Sequence, residues 1–265
     1  IYSNPALYDT AGHWLGAFAF WVQVYGDFSG YSDMAWGTAI LLGYHLPENF
    51  RLPYLSTSVT EHWQRWHISL IAWIRDYLYI PLGGNRVSFL RHKINIFLTM
   101  FLAGLWHGAN WTYVIWGSIH GAILVLEATY KQIMTRRREQ GLSKERLLPA
   151  LPGMVIAFLA TTFCTVFFGT MFRSENIQDS WLILSRMLGA VSGETLPLTG
   201  EMYRPVFYSV LAIYLGHLAG KWIFEKNVQW PRIPISFEAI FYLAFIFLTW
   251  EIGARDVNAF IYFVF

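Results

Sequence analysis

The residue best placed for chemistry is His107, which lies in the sequence GLWHGAN within a long uncharged, apolar stretch. Ionisable side chains inside a membrane are costly and tend to mark function. A neutral imidazole is an effective general base near pH 7. Gly104, Gly108 and Ala109 leave room for a substrate, and the amide of Asn110 is a candidate for orienting an imidazole or a carbonyl. The residues alone leave two interpretations of equal weight: a catalytic base, or a histidine that packs between helices.

A second histidine, His67, lies in a segment with helical periodicity, 60–80. Apolar residues recur there at three- and four-residue spacing and predict one helical stripe: Trp63, Trp66, Leu70, Trp73 and Tyr77. Arg65, Ser69 and Asp76 share another face. The pattern predicts an amphipathic helix at the cytoplasmic interface or a shallow re-entrant helix. His67 falls on a third, aliphatic face, where a structural role is at least as well supported as a catalytic one.

A polar segment, GDFSGYSD at 26–33, separates two apolar pieces of the chain. Its side chains with hydrogen-bonding or charged groups are Asp27, Ser29, Tyr31, Ser32 and Asp33. Carboxylates at a membrane boundary are able to line a polar passage. The same residues are equally typical of a helix cap, with a helix beginning near Ser32.

Basic residues follow a glycine-containing turn, PLGGNR at 81–86. The turn ends in Arg86, and Arg91 and Lys93 come next. It lacks the spacing of a nucleotide-binding P-loop. The cations are candidates for binding phosphate groups of a donor, although contact with lipid headgroups is the default interpretation.

Several kinds of site are not supported by the sequence. There is no GxSxG, HExxH, GxGxxG or DFG motif. His62 and His67 are five residues apart, which places them on different helix faces, so no metal site is predicted. We interpret the scattered histidines and the single cysteine as packing or interfacial residues: His13, His45, His92, His120, His217 and Cys164.

The amino-acid composition indicates the class of protein in which these residues lie. Of 265 residues, 55 % are hydrophobic, 18 % aromatic and only 14 % charged, whereas soluble proteins carry about 25 % charged residues. The net charge of +2 gives no indication of nucleic-acid binding. The single cysteine excludes a disulfide within the chain. We therefore expect an all-α, multi-pass membrane protein.

The apolar segments predict where the chain crosses the membrane. One domain over 1–265 is expected, with membrane segments near 13–25, 34–46, 94–106, 111–128, 152–172, 205–220 and 237–252. The stretch from Ile94 to Leu126 contains no Asp, Glu, Lys or Arg. As one helix it would be roughly 50 Å long, which exceeds a bilayer core of about 30 Å. The chain must therefore turn back, and 106–108 is the natural break.

The distribution of basic residues predicts which loops of the chain lie on the cytoplasmic side of the membrane. Segments 51–93 and 131–146 each contain six Lys or Arg, whereas 173–204 contains three against four acidic residues. Because short basic loops stay in the cytoplasm, 173–204 is expected outside. Both ends of the region 94–130 then lie inside, with its break towards the far side of the membrane.

Several sequence runs resemble the membrane-bound O-acyltransferase family, most closely its bacterial alginate O-acetyltransferase branch. They are QVYGDFSGYSDMAWG (23–37), LPENF (46–50), HWQRWHISLIAWIRDYLYIPLGGNR (62–86), GLWHGANWTYVIWGSIHG (104–121) and FIYFVF (260–265). The runs occur in the family's order over nearly the whole chain. The chain also begins in the middle of apparent structure, so we interpret it as the C-terminal portion of a longer protein.

The resemblance implies a multi-helix fold with a central tunnel and places the two signature histidines of the family at His107 and His67. It implies that a cytoplasmic acyl thioester, acetyl-CoA or another, donates an acyl group towards an acceptor at or beyond the membrane, with no bound cofactor. His107 would be the general base and His67 would position the donor or complete the tunnel. Candidates for the tunnel and substrate are Trp106, Asn110, Asp27, Ser29, Asp33, Arg65 and Asp76, and Arg86, Arg91 and Lys93 are candidates for the donor's phosphates.

The expected function is acetyl transfer to hydroxyls of an exported, alginate-like polysaccharide in the bacterial inner membrane. Expected partners are the acyl donor, membrane lipids and a periplasmic protein of polysaccharide acetylation. One alternative is transfer of D-alanyl or other acyl groups to teichoic acid, peptidoglycan or cellulose. Another is a scaffold or transporter for polymer export, which should tolerate loss of His107.

Overall fold

The described part of the protein is helical throughout. The computed structural model describes residues 1–142, 151–190, 195–226 and 243, and these contain no strand. The α-helices are α1 (Thr10–Leu41), α2 (Val59–Arg65), α3 (Ile68–Ile74), α4 (Phe89–Trp106), α5 (Trp111–Glu139), α6 (Leu151–Arg173), α7 (Ile177–Met187) and α8 (Gly200–Lys226). Short 3₁₀ helices span Pro5–Leu7 and Pro53–Leu55, and a π-helical turn spans Arg75–Tyr79.

The chain divides into two compact units, residues 1–217 and 218–265. The second unit is described only for the end of α8 and for Leu243. The predicted segment 237–252 therefore lies outside the described residues, apart from Leu243. The helices that position the candidate site, α1 to α7, all belong to the first unit.

The break expected at 106–108 is confirmed. Helix α4 ends at Trp106 and α5 begins at Trp111, so residues 107–110 form a turn between them. Asn110 is the N-cap residue of α5, where its Oδ1 accepts a hydrogen bond from the Thr112 amide at 3.1 Å. An uncharged stretch too long for one span thus folds as a helical hairpin.

Glycines allow the two helices of this hairpin to approach closely. A Cβ on Gly117 would lie 2.6 Å from the carbonyl oxygen of Met100 and 3.0 Å from the Cα of Gly104. A Cβ on Gly104 would lie within contact distance of the Tyr113 carbonyl oxygen. Small residues that bring backbones together are typical of helix pairs in membranes. The hairpin therefore depends on glycine at both positions.

We expect Gly117→Ala to destabilise the protein by about 1–3 kcal/mol, the usual cost of overpacking. The nearest atoms belong to the backbone of α4, which cannot rotate away as a side chain can. The measurement is the thermal unfolding temperature of the full-length protein in detergent. Gly169→Ala on α6 is the matched control, because a Cβ there meets nothing within 4 Å. Equal unfolding temperatures for the two variants would contradict this packing.

The segment predicted at 13–25 and most of that at 34–46 belong to one helix, so the alternative of a helix that begins near Ser32 is wrong. Helix α1 is continuous from Thr10 to Leu41, and Asp9 caps it by accepting from the Gly12 amide at 2.7 Å. The polar segment lies inside the helix. Ser32 Oγ donates to the Phe28 carbonyl at 2.8 Å, which satisfies the hydroxyl without ending the helix.

The single helix predicted at 60–80 is also wrong, because α2 ends at Arg65 and α3 starts at Ile68. His67 between them has a φ of +46°, in the left-handed region that interrupts a helix. The predicted apolar stripe is consequently divided. Trp66 is only 9 % exposed, whereas Trp73 and Tyr77 are 54 % and 70 % exposed.

Two helices in the described part are long and apolar enough to cross a membrane, by length and composition. They are Leu151–Arg173 (α6) and Gly200–Ile223, most of α8. They correspond to the segments predicted at 152–172 and 205–220. That the other predicted segments cross the membrane, and that the helices surround a tunnel, stay predictions.

Helix α7 is an element that the sequence did not predict. It lies in the segment 173–204, and Asn176 caps it by accepting from the Asp179 amide at 2.8 Å. Ile183 on its inner face is 1 % exposed. The start of α1 is hydrogen-bonded to the end of α7, where Thr10 Oγ1 donates to the Arg186 carbonyl at 2.8 Å. Helix α7 thus packs at the N-terminal end of α1.

Candidate active site

His107 follows α4 directly and is enclosed by aromatic rings. Its ring centroid lies 4.7 Å from that of Phe172 on α6, 4.9 Å from that of Trp106 and 5.7 Å from that of Trp116 on α5. The imidazole is half-buried. Three helices therefore place one titratable ring among apolar aromatic side chains.

The backbone next to His107 requires glycine. Gly108 has a φ of +148°, and a Cβ at this position would lie 3.0 Å from the ring of Tyr113. Glycine adopts this conformation without the steric cost that other residues have. Gly108 thus lets the chain turn tightly after His107 and lets Tyr113 cover the turn.

Asn110 has a different role from the one expected, because its amide holds the turn and not the imidazole. Its Oδ1 caps α5, and its Nδ2 donates to the Glu175 carbonyl at 2.9 Å. Both ends of the side chain are therefore engaged with the backbone. Asn110 connects the turn after His107 to the segment between α6 and α7.

His67 also lies near the Trp106 side chain, and it contacts α1 as well. Its ring meets Phe28 of α1 edge-on at 4.6 Å and lies 6.3 Å from the Trp106 ring, centroid to centroid. Trp106 itself is 53 % exposed. The structure thus brings both predicted histidines into contact with one tryptophan, although forty residues separate them in the sequence.

Asn49 is a residue of this site that the sequence reasoning missed. Its carbonyl accepts from the Ile68 amide at 3.0 Å, and its Oδ1 accepts from Ser69 Oγ at 2.9 Å. Its Nδ2 donates to Ser32 Oγ at 2.9 Å. Asn49 therefore fixes the break at His67 against α1. The only sequence signal is its place in the LPENF run.

The carboxylates of the polar segment are not part of the contacts around either histidine. Asp27 and Ser29 are half-buried and Asp33 is exposed. The structure shows no contact of these three residues with His67 or His107 within the described ranges. What connects the polar segment to His67 is Phe28, through its ring, and Ser32, through Asn49.

Arg65 and Asp76, both tunnel candidates, form ion pairs with near neighbours. Arg65 Nη2 lies 2.7 Å from Glu61 Oε1, one helical turn away. Asp76 Oδ1 lies 2.7 Å from Arg75 Nε, and both side chains are about half exposed. Exposed pairs of this kind contribute little to stability. Neither contact links these residues to the histidines.

Lys93 is not available for a surface phosphate, unlike Arg86 and Arg91, which are exposed. Lys93 is only 6 % exposed, and its Nζ lies 5.1 Å from the ring centroid of Phe89. The reason is its helix face, since positions 93, 100 and 104 lie on the side of α4 that packs against α5. Its side chain borders a groove of about 440 Å³ between these helices.

Asn95, another residue that the sequence reasoning missed, holds the basic turn in place. It is fully buried, and its Nδ2 donates to the carbonyls of Leu82 at 3.0 Å and Gly84 at 3.1 Å. The turn that carries Arg86 is thereby attached to α4. This fixes the backbone that leads to Arg86 relative to the α4–α5 hairpin.

His62 and three of the scattered histidines are buried packing residues. His13 is 0 %, His120 1 %, His217 4 % and His62 6 % exposed. No group of three or more His, Cys, Asp or Glu side chains suited to a metal ion occurs within residues 1–142, 151–190 and 195–226. Around His107 and His67, the described site consists of aromatic rings and of the amide side chains of Asn49 and Asn110.

The sequence profile of the membrane-bound O-acyltransferase family matches residues 2–172, which is more than half of the chain. The match includes α1 to α5 and nearly all of α6. This chain belongs to the membrane-bound O-acyltransferase family. Both histidines that contact Trp106 lie within the matched region.

Curated relatives share substantial identity with this family member. A probable alginate O-acetylase of Pseudomonas aeruginosa is 48 % identical over 186 residues, 69 % of this chain and 32 % of the relative. A peptidoglycan O-acetyltransferase of Helicobacter pylori is 37 % identical over 66 % of this chain and 31 % of the relative. A teichoic acid D-alanyltransferase of Streptococcus thermophilus is 32 % identical over 60 % of this chain and 42 % of the relative. The chain spans about a third of the length of the first two.

Proposed function

We propose that the protein transfers an acyl group, acetyl in the first instance, from a thioester to a hydroxyl of an exported polysaccharide. The observation that carries the proposal is the placing of His107 at a helix break, enclosed by three aromatic rings and sharing Trp106 with His67. The family membership and the 48 % identity to a probable alginate O-acetylase support this choice of chemistry and of polymer.

His107 acts as the general base in this proposal. Its neutral imidazole accepts the proton of the acceptor hydroxyl while the hydroxyl oxygen attacks the carbonyl carbon of the thioester. The new C–O bond forms, the C–S bond breaks, and the thiol leaves with the proton that His107 returns. The aromatic surrounding favours the uncharged base before attack, because burial in apolar surroundings disfavours an imidazolium.

The donor reaches His107 from the cytoplasmic side. The exposed Arg86 and Arg91 bind phosphate groups of a carrier such as acetyl-CoA, and Asn95 holds their turn against α4. His67 and Trp106 lie between this basic turn and His107 in the proposed path and position the thioester. The donor is a substrate, and no bound cofactor is required.

The proposed setting is the bacterial inner membrane, crossed several times by the full-length protein. The acceptor is presented on the far side, together with a periplasmic protein of polysaccharide acetylation. Two helices of suitable length and composition, α6 and most of α8, support a membrane location. The basic residues at the end of α5, Arg136, Arg137 and Arg138, suit contact with anionic lipids at the cytoplasmic face.

A second candidate function keeps the site and changes the acyl group or the acceptor. The 32 % identity to a teichoic acid D-alanyltransferase favours D-alanyl transfer, and the 37 % identity to a peptidoglycan O-acetyltransferase favours a different acceptor. The same base and the same attack on a thioester would serve each of them.

The experiment that separates these functions supplies a labelled donor to membranes containing the full-length protein. One arm uses acetyl-CoA labelled in the acetyl group, and the other uses a carrier protein loaded with labelled D-alanine. We expect label from acetyl-CoA in alkali-labile esters of the polysaccharide, and none in membranes that lack the protein. Label from the D-alanyl carrier alone would replace the first proposal with the second, and label from neither donor would contradict both.

A further inference from the structure

The carboxylate of Glu127 on α5 holds the beginning of α2. Glu127 Oε1 accepts a hydrogen bond from the Val59 amide at 2.8 Å. Its Oε2 accepts from the Thr60 amide at 2.8 Å and from the Thr60 hydroxyl at 2.5 Å. One side chain thus receives three hydrogen bonds from two consecutive residues, 67 and 68 positions away in the chain.

These bonds complete the N-terminus of α2. The third amide of its first turn, that of Glu61, donates to Ser58 Oγ at 3.0 Å. A carboxylate at a helix N-terminus is favourable because it meets both the free amides and the positive end of the helix dipole. Helix α2 has only seven residues, and so short a helix depends on tertiary contacts for its position.

One face of α5 contacts both the beginning of α2 and its Trp63. Trp116, His120 and Glu127 are spaced by four and seven residues and so lie on one side of α5. The Trp63 ring of α2 lies 5.4 Å from the rings of both Trp116 and His120. Because Val59 is held at Glu127 and Trp63 packs towards the start of α5, α2 runs antiparallel to α5. Its C-terminal end therefore points to the end of α5 that adjoins His107.

Through α2 and α5, Glu127 is connected to both histidines of the site. Helix α2 ends at Arg65, and two residues later His67 approaches the Trp106 ring. On the other side, Trp116 contacts the ring of His107 at 5.7 Å. The same helix, α5, thus carries both a wall of the His107 pocket and the carboxylate that anchors the segment leading to His67.

We propose that Glu127 is a positioning residue, which fixes His67 relative to His107 by anchoring α2 on α5; the proposal rests on the acyl transfer proposed above. Glu127 touches neither histidine and takes no part in the chemistry. Its contribution is to the geometry of the two histidines around Trp106, and small displacements of catalytic groups lower rates up to about 100-fold.

The anchoring is tested without any activity by hydrogen–deuterium exchange of the full-length protein in detergent. We expect Glu127→Gln to speed exchange of the Val59 and Thr60 amides, because the neutral amide offers one acceptor oxygen where the carboxylate offers two. Glu139→Gln is the matched control, since Glu139 is exposed at the end of the same helix. Equal exchange in Glu127→Gln and the wild type would overturn the anchoring.

The positioning role is tested by acyl transfer per folded molecule. We expect Glu127→Ala to lower kcat by about 10- to 100-fold, and Glu127→Asp, which keeps the charge, to recover part of the loss. In a protein that already carries His67→Asn, the further change Glu127→Ala should lower kcat by less than twofold, because Glu127 acts by positioning the imidazole of His67, which is already absent. A wild-type kcat in Glu127→Ala, or losses that multiply in the double variant, would overturn the proposal. Absence of transfer by the wild type would instead contradict the proposed function, and the exchange experiment would still decide whether Glu127 anchors α2.

Discussion

Replacing His107 with alanine is expected to lower acyl transfer by about 10²- to 10⁴-fold per correctly inserted molecule, the usual contribution of a general base. Without the imidazole, the three described rings of the pocket, Trp106, Trp116 and Phe172, offer the proton of the acceptor hydroxyl no basic nitrogen. The fold should persist, because the turn after His107 is held by Gly108 and Asn110. The measurement is the initial rate of label transfer by the full-length protein, normalised to folded protein.

His45→Ala is the control for this variant. His45 is exposed and lies outside the helices, so its removal changes the histidine content without touching the pocket. We expect the control to transfer at the wild-type rate. A His107→Ala protein with the rate of the control would exclude the general-base mechanism and favour a scaffold or transporter.

Replacing His67 is expected to lower kcat by about 10- to 100-fold, which is the usual cost of a displaced substrate or catalytic group. The test needs a residue that accepts the backbone at this position, where φ is +46°. Asparagine adopts the left-handed region more readily than other non-glycine residues, so His67→Asn removes the imidazole with the least strain. The measurement is kcat and KM for the thioester, with the unfolding temperature as a check on the fold.

The variant also separates two roles for His67. If His67 only stabilised the break between α2 and α3, His67→Asn would lower the unfolding temperature and leave kcat per folded molecule unchanged. We expect the reverse, a lowered kcat with a similar unfolding temperature, since Asn49 holds the break through the backbone amide of Ile68. An unchanged kcat would contradict the positioning of substrate by His67.

The α4–α5 hairpin was predictable because its signals are local. An uncharged stretch of excessive length, interrupted by glycines around His107, leaves few alternatives to a turn at that place. The same locality explains the agreement for α6, whose apolar run is long enough to be recognised without any knowledge of its neighbours.

The other features depend on contacts between residues that are distant in the sequence. The interruption at His67 is set by Asn49, and the anchoring of α2 by Glu127. Nothing in the sequence around either residue indicates which distant segment it contacts. Lys93 was misinterpreted because charge usually indicates a surface, whereas its helix face places it against α5. A cap near Ser32 remained one of two alternatives in the sequence because its hydroxyl serves equally well inside a helix, bonded to the Phe28 carbonyl.

The most direct test of the central claim is chemical rescue of His107→Ala by imidazole in a single-turnover transfer of labelled acetyl to a carbohydrate acceptor. Truncation leaves space next to Gly108 where a free base is able to take the place of the side chain. The proposed mechanism predicts almost no transfer by the variant alone, and a rate that rises with the concentration of neutral imidazole. Transfer by His107→Ala at the wild-type rate without imidazole would contradict it.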